Sequence, residues 1–476
     1  MTNSAEEPPK LYAAQEPIFP RRVYGFFRSL KWSLMIVTLG IYYITPWIRW
    51  DRGPNLPDQA VLIDLSTRRF FFFWIEIWPQ EFYFVAGLLI MAGLGLFLFT
   101  SALGRVWCGY ACPQTVWTDL FVTVERWIEG DRNARVRLYK AKWDAHKIRL
   151  RLTKWFVWLL ISVATGGAWV FYFADAPTLL QQLVHGSAPY IAYVFILSLT
   201  GTTFLFGGFA REQICIYMCP WPRIQAAMMD EDTITVAYRA WRGEPRGKHR
   251  KSADADKLGD CIDCNACVNV CPMGIDIRDG QQLACITCAL CIDACDGMMA
   301  KVGKPRGLID YMALTDEARE RSGKPPKPVW KHILRLRTII YTVLWAGVGA
   351  FLIAALFLRS NIDFNVSPVR NPVYVTLSDG SIRNTFNLRI HNKQGQAHRF
   401  MISVTPKGIF GTTVQGQKDG MVTVPADETG SHKLFVTAFR NSPAAKAGLT
   451  DIRIWVEDME TKDRVYKDTV FNGKGR

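Results

Sequence analysis

Histidine is scarce, with seven in 476 residues. The seven stand at 146, 185, 249, 332, 391, 398 and 432, and none falls inside a long apolar run. A haem buried between membrane helices takes its axial ligands from side chains within those helices, so bis-histidine haem is not expected. Cysteine is missing from residues 1–107 and again from 296–476. A disulfide framework is therefore not what holds the two ends together. No glycine-rich dinucleotide fingerprint is evident, which leaves a flavin unsupported though open. The opening stretch MTNSAEEPPKLYAAQEPIFPRR lacks the pattern of a cleavable signal. Polar and rich in proline, it reads as a disordered cytoplasmic tail over 1–30.

Apolar residues, by contrast, make up 49% of the chain and gather into blocks. Five blocks, at 31–50, 82–103, 155–174, 189–210 and 338–358, reach the roughly 20 residues a helix needs to cross a bilayer. The net charge is +15 and its distribution is uneven. Arg21, Arg22, Arg28 and Lys31 precede the first block, and basic residues crowd 104–154 and 211–337. The 175–188 connection has neither Lys nor Arg. This positive-inside pattern puts the N-terminus and both basic segments in the cytoplasm and the C-terminal part outside. It also accounts for the basic excess by topology and anionic lipid, so no nucleic-acid partner is expected.

All twelve cysteines lie in 108–112, 215–219 and 261–295. The densest group runs Cys261, Cys264, Cys267, Cys271-Pro272, then Cys285, Cys288, Cys291, Cys295. This is C-x2-C-x2-C-x3-C written twice, and it resembles bacterial two-cluster ferredoxins rather than a zinc ribbon. The resemblance implies one [4Fe–4S] cluster on Cys261, Cys264, Cys267 and Cys295, and a second on Cys285, Cys288, Cys291 and Cys271. Asp296 stands where a proline usually follows the last cysteine. Asp260, Asp263, Asp276, Asp279, Asp293 and Asp296 surround the motif with Arg278 almost alone against them. Such a surface would lower the reduction potential or dock a basic partner.

The other four cysteines form a repeat. FLFTSALGRVWCGYACP (97–113) and FLFGGFAREQICIYMCP (204–220) share F-L-F, eight residues, then C-x-Y-x-C-P. The repetition reads as two parallel pairs of spans whose cysteines end at one depth on the cytoplasmic side. Residues four apart share a helix face, so Cys108 and Cys112 project together, as do Cys215 and Cys219. Pro113 and Pro220 disfavour helical geometry at the cysteine before them. Paired thiolates favour Cu(I), zinc or iron–sulfur. Whether the two pairs meet is left open, and Tyr110 and Tyr217 are expected to pack nearby.

After Arg359 the pattern changes to period two. Phe386, Leu388 and Ile390 alternate with polar residues, as do Phe400, Ile402 and Val404, and Ile452, Ile454 and Val456. Turns such as SDGS and KDGM separate the strands. The segment reads as an immunoglobulin-type β-sandwich without a disulfide, serving packing or partner docking.

The expected fold class is a multi-domain membrane protein: an α-helical bundle of about five spans, an inserted two-cluster ferredoxin domain and a C-terminal immunoglobulin-like sandwich. Its divisions are a tail (1–30), a four-helix region with both C-x3-C-P motifs (31–220) and a basic linker (221–257). A ferredoxin-type domain (258–300), a cytoplasmic linker (301–337), a fifth span (338–358) and an exported domain (360–476) follow. This order of motifs resembles the cytochrome oxidase accessory family called CcoG, FixG or RdxA. The resemblance covers the chain beyond its first 20 or so residues. It implies a bacterial inner-membrane protein that helps assemble a haem–copper cytochrome c oxidase by reducing Cu(II) to Cu(I). Cys108, Cys112, Cys215 and Cys219 would be the copper site and a cytoplasmic donor would feed the clusters. Expected partners are the lipid bilayer, copper, that donor, and oxidase subunits or assembly factors. Two other readings are a quinol-linked respiratory carrier and a non-redox assembly scaffold.

Overall fold

The computed structural model describes residues 17–53, 56–248, 258–359, 362–394, 396–406, 408–417, 419–426 and 428–475. The first part of the expected tail (1–16) and the end of the basic linker (249–257) lie outside them. The chain divides into two units: Met1–Ile48 with Gln59–Leu352, and Arg49–Asp58 with Ile353–Arg476.

Among the described residues three helices are long and apolar enough to cross a membrane: Pro79–Leu103, Tyr190–Ala210 and Leu336–Leu358. They coincide with the second, fourth and fifth apolar blocks, and they suit the helical part to association with a bilayer. The first block forms the Phe26–Ile44 helix, five residues upstream of its expected start. Its Arg28 and Lys31 are buried, at 7% and 3% exposure, not turned outward to headgroups. Arg28 Nη1 lies 2.9 Å from both carboxylate oxygens of Asp119. The third block belongs to a 26-residue helix, Ala145–Val170, whose first turns carry Lys147, Arg149, Arg151 and Lys154. Lys154 and Lys147 are buried as well. The basic residues of 104–154 thus include several that serve internal ion pairs. Glu125 gathers Arg211 at 2.6 Å, Lys154 at 3.2 Å and Arg135, while Glu129 takes Lys154 at 2.9 Å and Arg151 at 3.2 Å. Three cations outweigh burial and bring the Glu125 carboxyl down to about 2.

Small residues let long helices approach closely. A Cβ on Gly166 would stand 2.8 Å from the Ile196 carbonyl oxygen, so Ala145–Val170 lies against Tyr190–Leu205. Gly95 admits the Trp345 indole of Leu336–Leu358 in the same way. Between the first and second helices the chain forms a three-stranded antiparallel sheet, Val61–Asp64, Arg69–Phe72 and Ile75–Ile77, that the apolar blocks did not announce.

The tail expectation fails for the described residues 17–30. Arg21 N–H donates to the Asn269 carbonyl at 2.7 Å and Arg22 N–H to Asp131 at 3.0 Å. The first turn of Phe26–Ile44 rests on Asp293, whose carboxylate accepts from the Phe27 and Arg28 amides at 3.3 and 2.8 Å. These amides have no intrahelical partner and carry the positive end of the helix dipole, which a carboxylate satisfies. Gly25 leaves the space that the Asp293 side chain needs.

The second unit contains the sandwich. One sheet orders Phe410–Val414, Thr429–Ala438, Ile382–Asn392 and Ile362–Pro368, with Val375–Thr376 also paired to Ile382–Asn392. The other orders Met421–Val424, His398–Thr405, Leu449–Asp458 and Arg464–Asn472. All pairs are antiparallel. Every alternating residue named from the sequence, Phe386 through Val456, is buried in the shared core.

Candidate metal centre

The two C-x2-C-x2-C loops repeat one backbone trick. Asp263 and Asn265 in the first, and Thr287 and Ala289 in the second, have φ of 50°, 53°, 54° and 60°. Each offset from the leading cysteine is the same. Four non-glycine residues in the left-handed region cost roughly 1–2 kcal/mol apiece. Alternating left- and right-handed residues turn successive N–H groups inward and make a cradle for negative charge. A short helix then leaves each loop: Ala266–Val270 carries Cys267, and Leu290–Val302 carries Cys291 and Cys295.

The cysteines assemble in the crossed sets expected from ferredoxins. Burial, with Cys267, Asp296, Cys264 and Cys261 close by, pushes the Cys295 thiol up to about 12. Burial and the neighbouring Cys288 and Cys285 push Cys271 up to about 12. Cys291 is held well above its ordinary value by burial, then by Cys288, Cys285 and Cys271. Cys267 also lies within reach of Cys291, so the two foursomes adjoin. Among the described residues no three Cys, His, Asp or Glu groups converge as they would around one ion. A [4Fe–4S] cube takes one thiolate per iron, so its ligands stand further apart than those of a single zinc. Cradle, thiol set and spacing fit that group. Cys267, Cys271, Cys285, Cys288 and Cys291 also line a single enclosed, apolar cavity. Thiols this reluctant to ionise become thiolates only against a metal's positive charge.

The aspartates around the motif prove largely structural. Arg278 pairs with Asp263 at 2.7 Å and Asp276 at 2.6 Å, and Asp260 takes Arg242 at 2.5 Å and Lys304 at 3.5 Å. Asp296 accepts the Gly307 amide at 2.8 Å, which is what occupies the usual proline position. Five of the six acids are thus engaged, counting Asp293 above, three of them with cations and two with backbone amides.

The remaining four cysteines share one neighbourhood, although no three of them converge as they would around one ion. Cys215 is pushed up to about 12 by burial, then by Cys112, Cys108 and Cys219. Cys108 is raised by burial against the opposing charge of Arg105, with Cys112 and Cys219 adding to the rise. The prolines act as expected: Cys112 (ψ 128°) and Cys219 (ψ 125°) are extended. Only the first cysteine of each pair therefore lies in a helical turn, Val106–Tyr110 or the wider Ile214–Met218. Cys108 and Cys215 pack with Cys271, Cys288 and Cys291 in one cluster. The repeat is unequal at its tyrosines. Tyr110 is 5% exposed and donates to the Cys288 carbonyl at 3.2 Å, whereas Tyr217 is 43% exposed.

Two residues had no signal in the cysteine spacing. Arg105 is buried, lies in reach of Cys108, Cys215 and Cys285, and has an Nε without a hydrogen-bond partner among the described residues. Its Nη1 donates to the Leu283 carbonyl, and a buried cation near both thiol sets suits a site that carries net negative charge once metallated. Buried Gln225 accepts the Cys108 thiol at 3.1 Å and donates to Thr100 at 3.3 Å.

Known proteins share this organisation. Residues 210–314 match a family model described as "4Fe-4S dicluster domain", 84–131 one described as "4Fe-4S binding domain", and 352–474 the immunoglobulin-like fold at the C-terminus of FixG. Protein RdxB of Cereibacter sphaeroides is 68% identical over 100% of both chains. Protein RdxA of the same organism is 64% identical over 94% of this chain and 95% of its own. Nitrogen fixation protein FixG of Rhizobium meliloti is 52% identical over 99% of this chain and 96% of its own. The chain belongs to the FixG/RdxA family. Membership makes it an iron–sulfur electron-transfer protein with a helical membrane part. A FixG-related protein from Vibrio parahaemolyticus matches 24% of this chain and 99% of its own at 17% identity and a TM-score of 0.22, too slight to bear on the fold.

Proposed function

We propose that this family member reduces Cu(II) to Cu(I) at Cys108, Cys112, Cys215 and Cys219 and supplies it to an assembling haem–copper cytochrome c oxidase. The copper is substrate. The iron–sulfur groups, when bound by the eight ferredoxin-type cysteines, supply single electrons. The protein would lie in the inner membrane with its cysteines on the cytoplasmic side, where a soluble donor reaches the exposed Cys264. The sandwich would dock oxidase subunits or assembly factors.

One observation supports the reading: Cys108 and Cys215 pack against Cys271, Cys288 and Cys291, with Cys112, Cys219 and Arg105 close by. Soft thiolates hold Cu(I) better than Cu(II), so their chemistry favours the reduced ion. Gln225 orients Cys108, and Arg105 offsets the charge of the assembled thiolates.

A second occupant has its own support. Both C-x3-C-P motifs lie inside segments matched by 4Fe–4S family models, so the four thiols would take a third cluster on that reading. Anaerobically purified protein decides between them. Copper reduction predicts about eight iron atoms per chain, as two cubes supply, with Cu(I) bound after Cu(II) is added. It further predicts that the fourfold Cys→Ser variant at 108, 112, 215 and 219 keeps its iron and loses copper reduction. Iron near twelve per chain, falling by four in that variant, would assign the site to a cluster.

A further inference from the structure

A cavity of about 660 Å³ lies between the iron–sulfur segment and the ends of two long helices. Leu30 and Leu34 of Phe26–Ile44, and Phe99 and Leu103 of Tyr83–Leu103, form its apolar wall. Leu30 and Phe99 are also exposed, so that wall runs onto the outer surface of the helices. Small-molecule sites are of this size, mostly apolar, with a few convergent polar groups. The polar groups here have a direction. On the inner side the Tyr110 and Tyr311 hydroxyls donate to the carbonyls of Cys288 and Thr287, at 3.2 and 2.9 Å. One layer of tyrosine thus separates the cavity from a ligand-bearing loop. At the rim, buried His332 and buried Asp316 are joined, Nε2 to Oδ2, at 2.8 Å. His332 Nδ1 lies 3.2 Å from Asp232, whose side chain is 38% exposed. A carboxylate–imidazole–carboxylate chain therefore leads from the cavity to solvent.

We propose that this cavity binds the ring of a membrane quinone or quinol, with the isoprenoid tail leaving past Leu30, Leu34 and Phe99, and that Asp316, His332 and Asp232 conduct its protons. An acyl chain would fill the apolar part but has no use for a buried acid–base relay. A flavin nucleotide would need a phosphate site, and both cations lining the cavity are already paired, Arg239 with Glu320 at 2.7 Å and Asp310 at 3.3 Å, and Lys327 with Asp232 at 3.6 Å. The proposal rests on the redox reading above. The quinol loses two electrons and two protons and becomes quinone. Iron–sulfur groups held by the eight ferredoxin-type cysteines would accept one electron each, past the tyrosine wall beside Cys288, and His332 passes the protons to Asp232 and water.

The test uses the full chain in detergent with decylubiquinone as probe. Calorimetry should show saturable binding to the protein, weakened about tenfold or more by Leu34→Trp, a loss of 1.4 kcal/mol for each factor of ten. Val329→Trp, at an exposed position on the cavity edge, repeats the blockade should Leu34→Trp fail to fold. His332→Gln should bind the probe normally yet slow the bleaching of iron–sulfur absorption by decylubiquinol about 100-fold, as loss of an acid–base group does. Dithionite should bleach every variant at the wild-type rate. Equal probe binding in wild type and Leu34→Trp, or competitive displacement of the probe by oleate with no bleaching by the quinol, overturns the proposal. An unchanged bleaching rate in His332→Gln overturns the relay. The copper reading fails separately, if wild type reduced with dithionite and then freed of excess reductant leaves Cu(II) oxidised.

Discussion

Gly109 and Cys288 meet backbone to backbone: a Cβ on Gly109 would stand 3.0 Å from the Cys288 Cα and 2.6 Å from the Ile286 carbonyl oxygen. Gly109 sits between Cys108 and Tyr110, so this contact sets the four-thiol site on the ferredoxin loop. Gly109→Ala should force the two apart, at about 1–3 kcal/mol for an overpacked contact. The expected result is a lower melting temperature and slower electron delivery to copper. Gly167→Ala, where a Cβ meets nothing within 4 Å, is the control and should be neutral or stabilising by up to about 1 kcal/mol. Equal effects of the two would show that the Gly109 contact is unimportant.

Arg28 and Asp119, both largely buried, tie the first helix to Pro113–Glu129. Removing one partner of a buried pair leaves an uncompensated charge, at about 3–5 kcal/mol. Asp119→Ala should therefore destabilise the helical unit by that order, read as a drop in thermal midpoint followed by tryptophan fluorescence. Joint replacement of Arg28, Lys31 and Asp119 by Leu should recover much of the loss, because buried Lys31 is also drawn to Asp119. A triple variant as unstable as the single one would mean these residues act through something other than their charges.

The pair also shows where the sequence was readable. Cysteine spacing indicated which thiols would be neighbours, and the fold brings Cys295 near Cys261, Cys264 and Cys267 and Cys271 near Cys285, Cys288 and Cys291. Strand alternation located the sandwich core, since period two leaves no choice of buried face. Pro113 and Pro220 foretold the extended Cys112 and Cys219. Long-range partners were not readable. Arg28 and Lys31 looked like headgroup contacts because Asp119 lies 91 residues from Arg28. The aspartates around the clusters looked like a free acidic surface because Arg242, Lys304 and the Gly307 amide join them only in the fold. The equality of Tyr110 and Tyr217 within the repeat hid their different burial, as Tyr110 lies buried on the Cys288 carbonyl while Tyr217 is exposed.

Glu125 gives a pH signature. Burial raises its carboxyl, but Arg211, Arg135 and Lys154 outweigh burial and hold it at about 2, below the ordinary 4.5. A carboxylate lowered in the folded state contributes stability above its unfolded value and loses it as pH falls through its folded value. Its contribution should therefore be constant from pH 7 to 5 and vanish progressively between about 4.5 and 2. Glu125→Gln should be less stable at pH 7 and should flatten that part of the stability–pH curve. An unaltered acid limb in Glu125→Gln would show that the charge network does not set it.

The crossed ligand sets make a sharper prediction than the count of cysteines. Cys271 follows the first loop in sequence, yet it stands with Cys285, Cys288 and Cys291. Cys295 follows the second loop but stands with Cys261, Cys264 and Cys267. Cys271→Ser should thus disturb the same centre as Cys285→Ser, and Cys295→Ser the same centre as Cys261→Ser. Electron paramagnetic resonance of the dithionite-reduced protein reads this, because each variant should leave one unperturbed signal and the pairs should match. The second centre borders Cys108 and Cys215, so copper reduction by protein reduced with dithionite and then freed of excess reductant should suffer more from Cys271→Ser than from Cys295→Ser. Signals that pair Cys271 with Cys261 would mean that each loop keeps its own fourth ligand, and the crossed arrangement would be wrong.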